Sequence, residues 1–153
     1  GTSFLDVTSN DTVINGDYNL LGGEVSLGAS NLLTISGNAD LGSGAIWNVQ
    51  FNGTAESFGK IDIAGTLDVD GVILNLIDVD FGSPLDNPLF VLAESVGGIS
   101  GVPVVNGVVP AGYLLNVGSN QITLQAVPEP GSLALIVMAL AGLGVSRRRR
   151  FSK

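Results

Sequence analysis

Short apolar runs alternate with turn residues along most of the 153-residue chain. Turn signals such as Asn15-Gly16, Gly22-Gly23, Asn52-Gly53 and Asp70-Gly71 recur at intervals of about six to twelve residues. Within the runs apolar and polar residues alternate, as in Ile61-Asp62-Ile63 and Ile77-Asp78-Val79-Asp80-Phe81, so that the apolar side chains share one side of a strand and the aspartates the other. The pattern therefore predicts an all-β body of half-buried strands.

The same pattern repeats along the chain. The segment LGASNLLTI at 27–35 recurs fourteen residues later as LGSGAIWNV at 41–49, and again, with one residue deleted, as VDGVILNL at 69–76. Ile35-Ser36-Gly37 also aligns with Ile63-Ala64-Gly65. Repeated strand–turn units bury their inner faces only against their neighbours, so we predict a short β-solenoid. An antiparallel β-sandwich is the alternative, because short strands at this spacing also suit it.

The end of the chain, 127–153, differs from the body in composition. An uncharged, mostly apolar stretch at 131–146 is followed directly by Arg147, Arg148, Arg149 and Arg150. Sixteen helical residues measure about 24 Å, close to the length that crosses a bilayer. Arginines next to such a helix favour a cytoplasmic C-terminus. We therefore predict a body at 1–126, a single transmembrane helix at 131–146, and the four arginines as a membrane-topology signal.

Pro128, Glu129 and Pro130 stand directly before this helix. The order of motif, helix and arginine cluster resembles the PEP-CTERM sorting signal of exported bacterial proteins. The resemblance implies that an exosortase recognises and processes the chain near these three residues. It also implies a membrane-anchored precursor whose body lies outside the cytoplasm, and a mature form at the cell surface or in the extracellular matrix of a Gram-negative bacterium. Such proteins also need an export signal, and because Gly1-Thr2-Ser3 lacks that pattern we expect a fragment or a trimmed signal.

The repeats of the body resemble the β-helical passenger regions of autotransporters and their PEP-CTERM relatives. Residues 33–81 are similar to the recurring unit of that family, and residues 88–124, from PLFVLAE to QITL, are similar to its closing unit. The resemblance implies a right-handed parallel β-helix with hairpin-like C-terminal strands that close its open end.

Charge and composition exclude several functions. Residues 1–127 contain thirteen acidic residues and one basic residue, Lys60. Nucleic-acid binding needs clustered Lys and Arg, so we expect none. The chain has no cysteine and no histidine, which excludes disulfides, thiolate metal sites and Cys–His or Ser–His catalysis. We expect no cofactor and no enzymatic activity.

Two aspartate pairs, Asp68/Asp70 and Asp78/Asp80, are candidates for a calcium site. Residues i and i+2 of a strand share a face, so each pair could offer oxygen ligands, with Asp62 nearby if the strands stack. The chain lacks the EF-hand loop and the calcium-binding nonapeptide, and solvent-facing aspartates are the simpler interpretation. Trp47 and the other aromatic residues could form a sugar-stacking surface, but their apolar surroundings favour core packing.

These observations predict an exported structural or adhesin-like protein of the bacterial surface or extracellular matrix. The alternative is a calcium- or carbohydrate-binding module of the polysaccharide matrix. The expected partners are the exosortase and the membrane, and extracellular polysaccharide could be a further one. An exposed edge strand could also pair with a second copy of the chain.

Overall fold

The computed structural model describes residues 3–80, 87–107 and 109–127. These residues form sixteen β-strands joined by turns, with no helix among them. The all-β prediction is therefore confirmed. The helix predicted at 131–146 lies outside the described residues.

The strands form three sheets. The first sheet has the order β1-β4-β7-β11-β14, with β8 paired to β7, and contains β1 (Phe4–Val7), β4 (Glu24–Leu27), β7 (Ile46–Asn52), β8 (Ser57–Phe58), β11 (Ile73–Asp78) and β14 (Val104–Asn106). The second has the order β15-β16-β12-β9-β5-β2, with β2 (Thr12–Ile14), β5 (Leu32–Ile35), β9 (Lys60–Ile63), β12 (Leu89–Ser95), β15 (Tyr113–Val117) and β16 (Gln121–Ala126). The third has the order β13-β10-β6-β3, with β3 (Tyr18–Asn19), β6 (Ala39–Asp40), β10 (Thr66–Asp68) and β13 (Gly98–Ser100).

The chain visits the three sheets in rotation, and we call one pass through all three a circuit. Strands of neighbouring circuits pair in parallel, for example β4 with β7, β5 with β9 and β6 with β10. The alternative prediction of an antiparallel sandwich disagrees with this pairing. Antiparallel pairs do occur between β7 and β8, and where β15 and β16 extend the second sheet beyond β12. Strands β15 and β16 pair with each other in antiparallel register at the end of the second sheet.

The core lies between the three sheets and consists of rows of inward-pointing side chains. In the first sheet Val25, Trp47 and Leu74 are register partners on successive strands, and all three are fully buried. In the second sheet Leu33 and Ile61 form a similar row. Because each row continues from one circuit to the next, every circuit completes the burial of its neighbour.

Four aromatic side chains pack against one another in a continuous row. Phe51 stacks on Phe58 with ring centroids 5.1 Å apart, Phe58 contacts Phe90 at 4.4 Å, and Phe90 contacts Tyr113 at 5.9 Å. Trp47 is also fully buried. The structure thus agrees with core packing, and Trp47 presents no surface on which a sugar could stack.

The sequence repeats correspond to the circuits only in part. Two of the sequence alignments span 28 residues: Ile35-Ser36-Gly37 with Ile63-Ala64-Gly65, and 41–49 with 69–76 after one deletion. Both give true register partners, since Ile35 pairs with Ile63 and Trp47 pairs with Leu74. The fourteen-residue repeat is different, because it aligns β5 of the second sheet with β7 of the first. That repeat reflects a similar strand–turn pattern at two positions of the fold, and it does not mark stacked strands.

Glycines stack at the corner between the second and third sheets. The Gly65 N–H donates to the Gly37 carbonyl at 2.9 Å, and the Gly97 N–H donates to the Gly65 carbonyl at 2.8 Å. A Cβ atom at Gly65 would lie 2.7 Å from the Gly37 oxygen, and one at Gly97 would lie 2.7 Å from the Gly65 oxygen. Glycine is required here because the backbones of successive circuits approach too closely for a side chain.

Candidate functional site

The predicted sorting residues lie outside the described part of the chain. These residues are Pro128, Glu129 and Pro130 of the motif and Arg147, Arg148, Arg149 and Arg150 of the topology signal. Within the described residues, no helix is long and apolar enough to cross a membrane.

The first aspartate pair lies at the end of a strand. Asp68 is the last residue of β10, and its Oδ1 accepts a hydrogen bond from the Asp70 backbone N–H at 3.0 Å. Asp70 is exposed in the turn that follows. The Asp68 carboxylate therefore stabilises this turn in the manner of an Asx turn. The two side chains do not share a strand face, which corrects the prediction for this pair.

The second pair has the same arrangement at the end of β11. Asp78 Oδ1 accepts from the Asp80 N–H at 3.0 Å, and Asp80 Oδ2 accepts from the Thr54 N–H at 2.6 Å. The hydrogen bond from the Thr54 backbone holds the pKa of Asp80 well below its ordinary value. The Thr54 N–H stabilises the ionised Asp80 carboxylate, and this hydrogen bond joins the turn after β11 to the turn after β7.

The predicted alternation along β11 is reversed. Leu74 of this strand is fully buried, whereas Ile77 and Val79 are 39% and 36% exposed. Asp78 is the register partner of the buried Phe51, so it belongs to an inward-facing row. The prediction that the apolar residues of Ile77-Asp78-Val79-Asp80 face the core is wrong, because Leu74 sets the phase of the strand.

The structure does not bring the aspartate pairs and Asp62 together. Asp62 lies on β9 in the second sheet, Asp68 ends a strand of the third sheet, and Asp78 ends a strand of the first. In the described ranges, no group of three or more acidic side chains is placed to hold a metal ion.

A groove of about 590 Å³ crosses the second sheet near its corner with the third sheet. Two rows of side chains line the groove, one on the strands and one just beyond the strand ends. The outward-facing row consists of Thr34, Asp62, Glu94 and Gln121 on β5, β9, β12 and β16. The corner row consists of Ser36, Ala64 and Val96, with Asn120 at its end. Between them, the backbone of Ile35, Ile63 and Ser95 forms the floor, because the side chains of these residues are buried.

Lys60 holds the two carboxylates of the outward-facing row. Its Nζ lies 2.9 Å from Asp62 Oδ1 and also pairs with Glu94, which accepts a further hydrogen bond from Gln121 Nε2 at 2.6 Å. Partial burial opposes the charge on Lys60, but the bonds to Asp62 and Glu94 outweigh it and raise the pKa of Lys60. The hydrogen bond from Lys60, followed by that from Gln121, lowers the pKa of Glu94. The side of the groove formed by Lys60, Asp62 and Glu94 thus carries two negative charges and one positive charge.

A second depression, of about 400 Å³, adjoins the groove and shares Asn120 and Gln121 with it. It lies on the antiparallel strands at the end of the second sheet. Apart from Leu89 and Gly118, its lining is made of uncharged amide and hydroxyl side chains, namely Asn116, Ser119, Asn120, Gln121, Thr123 and Gln125. The two depressions form one track that is acidic at one end and neutral and polar at the other.

Sequence reasoning did not identify this groove. Lys60 and Asp62 are two residues apart on β9, but Glu94 is 32 residues after Asp62 and reaches it only through the pairing of β9 with β12. A signal was present in the alignment of Ile35-Ser36-Gly37 with Ile63-Ala64-Gly65, since these triplets mark equivalent corners. Extending that alignment to Ser95-Val96-Gly97 would have placed Thr34, Asp62 and Glu94 side by side.

Comparison with known proteins identifies one feature of the chain. Residues 126–150 match the family described as the PEP-CTERM protein-sorting motif. No curated protein and no solved structure shows significant similarity to the chain. The match indicates exosortase-dependent sorting of an exported protein, with an exosortase as the processing partner and a membrane-anchored precursor at the cell envelope.

Proposed function

We propose that the chain is a structural or adhesin-like protein of the cell surface or extracellular matrix of a Gram-negative bacterium. The match of 126–150 to the PEP-CTERM motif is the observation that carries this proposal, because it supplies the route of export. In this proposal Pro128, Glu129 and Pro130 are the processing motif. The helix at 131–146 anchors the precursor, and the four arginines keep its end in the cytoplasm.

Mass spectrometry of the mature protein from its native host tests the sorting route. We expect a C-terminus close to Glu129, and we expect Glu129→Ala to leave the precursor uncleaved in the membrane fraction. Replacing the arginines at 147–150 by glutamine should disturb the topology, whereas replacing them by lysine keeps the charge and is the matched control. Recovery of the intact arginine cluster from the culture medium would contradict the proposal.

We further propose that the body is an autotransporter-like, right-handed parallel β-helix. The rotation of the chain through three sheets and the parallel pairing of successive circuits support this architecture. The right hand follows from the general preference of parallel crossover connections. Such a body would act through its surface, by contact with other matrix components or with further copies of itself, and we propose no catalytic role for it.

Engineered disulfides test the pairing directly, because the natural chain has no cysteine. Asn48 and Asn75 are parallel register partners, and Asn75 Nδ2 donates to Asn48 Oδ1 at 2.8 Å. Neighbouring strands lie about 4.8 Å apart, which suits a disulfide. The Asn48→Cys/Asn75→Cys variant should therefore oxidise to an intramolecular bond, and the offset pair Asn48→Cys/Ile77→Cys is the control. Equal cross-linking of both pairs, or cross-linking of neither, would reject this register.

The groove on the second sheet favours a second candidate function, glycan binding by the body. The groove and the adjoining depression together offer carboxylate, amide and hydroxyl groups beside the exposed apolar side chains of Ala64 and Val96. These are the groups that hydrogen-bond sugar hydroxyls, while the exposed Ala64 and Val96 side chains suit the C–H faces of sugar rings. A binding role of this kind is compatible with display at the cell surface.

A further inference from the structure

We propose that the groove on the second sheet binds a linear glycan that carries free amino groups. This inference rests on the second candidate function above and adds the class of sugar. The reasons are the spacing of the groups along the groove, the shortage of unused N–H donors in it, and its charge.

The spacing suits a ligand that lies across the strands. Thr34, Asp62, Glu94 and Gln121 occupy neighbouring strands, so polar side chains recur about every 4.8 Å over a length of about 14 Å. Sugar rings in a chain present hydroxyl or amino groups continuously along their edge. An extended peptide presents side chains on one face only about every 6.6 Å, which does not match the row. The groove also lies on a sheet face, so it offers no edge strand with which a peptide backbone could pair.

Most N–H donors of the groove are already used, although the Thr34 and Ser36 hydroxyls can still donate. The Ser95 hydroxyl is directed to the Gly65 carbonyl at 2.7 Å, and Asn120 Nδ2 donates to the Ser95 carbonyl at 2.8 Å. Lys60 and the Gln121 amide N–H are directed at carboxylates. The oxygens of Asp62, Glu94 and Gln121 retain acceptor capacity toward the groove. A ligand rich in hydrogen-bond donors therefore matches the groove better than one that offers acceptors alone.

Charge selects among the ligands that can donate. One side of the groove contains the two carboxylates of Asp62 and Glu94 and the one ammonium group of Lys60. The described residues contain no other Lys or Arg that could attract an anion. A glycan that contains uronic acids would be repelled. A protonated amino sugar would instead form charge-assisted hydrogen bonds with Asp62 and Glu94, which are stronger than neutral ones. The neighbouring amide and hydroxyl groups would then bind the hydroxyls of the following sugar units.

Isothermal titration calorimetry on the full chain in detergent micelles tests this proposal. The probe is a tetramer of β-1,4-linked glucosamine at about pH 6, where its amines are protonated and carboxylates are ionised. Fully N-acetylated tetramer, tetragalacturonate and tetralysine are the comparison ligands. Thr34→Lys places a cation in the outward-facing row, beside Asp62. Gln50→Lys makes the same charge change on β7 of the first sheet, also at a half-buried outward position, and serves as the matched control.

We expect the glucosamine tetramer to bind about tenfold or more tightly than the N-acetylated form, since a hydrogen bond to a charged group accounts for at least that factor. Thr34→Lys should abolish this preference, Glu94→Gln should weaken it, and Gln50→Lys should leave it unchanged. Equal binding of both tetramers, binding of tetralysine or tetragalacturonate alone, an equal loss in Gln50→Lys, or no binding at all would overturn the proposal. Thermal melting of each variant shows that it is folded. Normal processing at Glu129 together with failure of this titration would reject the ligand and leave the sorting proposal intact.

Discussion

Gly65→Ala tests the close stacking of circuits at the corner between the second and third sheets. The added methyl group would lie 2.7 Å from the Gly37 carbonyl oxygen and 2.8 Å from its carbon, whereas ordinary contacts begin near 3.4 Å. It would also meet Asn38 Oδ1, which accepts the Thr66 N–H at 2.9 Å. Because both Gly37 atoms belong to the backbone, two circuits must separate locally or the corner must change conformation.

The expected loss of stability can be worked from these contacts. Overpacking of this kind costs about 1–3 kcal/mol, and weakening the Asn38–Thr66 hydrogen bond adds about 1 kcal/mol. With a urea dependence of about 2 kcal/mol per M, the unfolding midpoint should fall by roughly 1–2 M. Far-UV circular dichroism in urea measures this shift, and Ala64→Ser, an exposed change at the adjacent position, is the control. A midpoint for Gly65→Ala equal to that of the natural chain would refute the idea that the corner admits only glycine.

Four further variants test the core, the turns and the ion pairs. Trp47→Ala should lower the free energy of unfolding in urea by about 3–5 kcal/mol, and Trp47→Phe by less, because the indole N–H has no partner among the described residues and its removal relieves a buried unpaired donor. The lowered pKa of Asp80 stabilises the fold above the unfolded value of about 3.9 and ceases to do so as the pH falls through the folded value, so below about pH 4 the melting temperature of Asp80→Asn should fall less than that of the natural chain. Lys60→Met should change the free energy of unfolding by less than about 1 kcal/mol, because its ion pair with Glu94 is exposed to solvent, and a larger loss in the same urea titration would contradict this.

The parts of the fold that follow from local patterns could be predicted from the sequence. Alternation in Lys60-Ile61-Asp62-Ile63 correctly gives a strand with Ile61 and Ile63 inside. The 28-residue alignment gives true register partners because equivalent corners require the same glycine, as at Gly37 and Gly65. These features depend on strand period and on backbone contact, which leave a direct trace in the residue types.

Features that depend on long-range register could not be predicted in this way. Ile77 and Val79 carry the apolar pattern of inward residues, but the phase of their strand is set by Leu74 and its partner Trp47 in another circuit. The groove has the same origin, since Asp62 and Glu94 become neighbours only through strand pairing. The turn hydrogen bonds of Asp68 and Asp78 could not be predicted either, because the alternating pattern is the same for an aspartate at a strand end and for one within the strand.

The connections between sheets differ in how much variation they tolerate. Two or three residues link the second sheet to the third in successive circuits, from Ile35 to Ala39 and from Ile63 to Thr66. The links from the first sheet to the second are more variable. Four residues join β4 to β5, whereas the link from β7 to β9 is longer and contains a short strand, β8. Such a body can lengthen its first-to-second loops while the remaining scaffold keeps its alignment, although neighbouring loops that share a hydrogen bond, such as Thr54 with Asp80, must change together. New surface specificities could therefore arise on one side of the molecule without the fold being rebuilt.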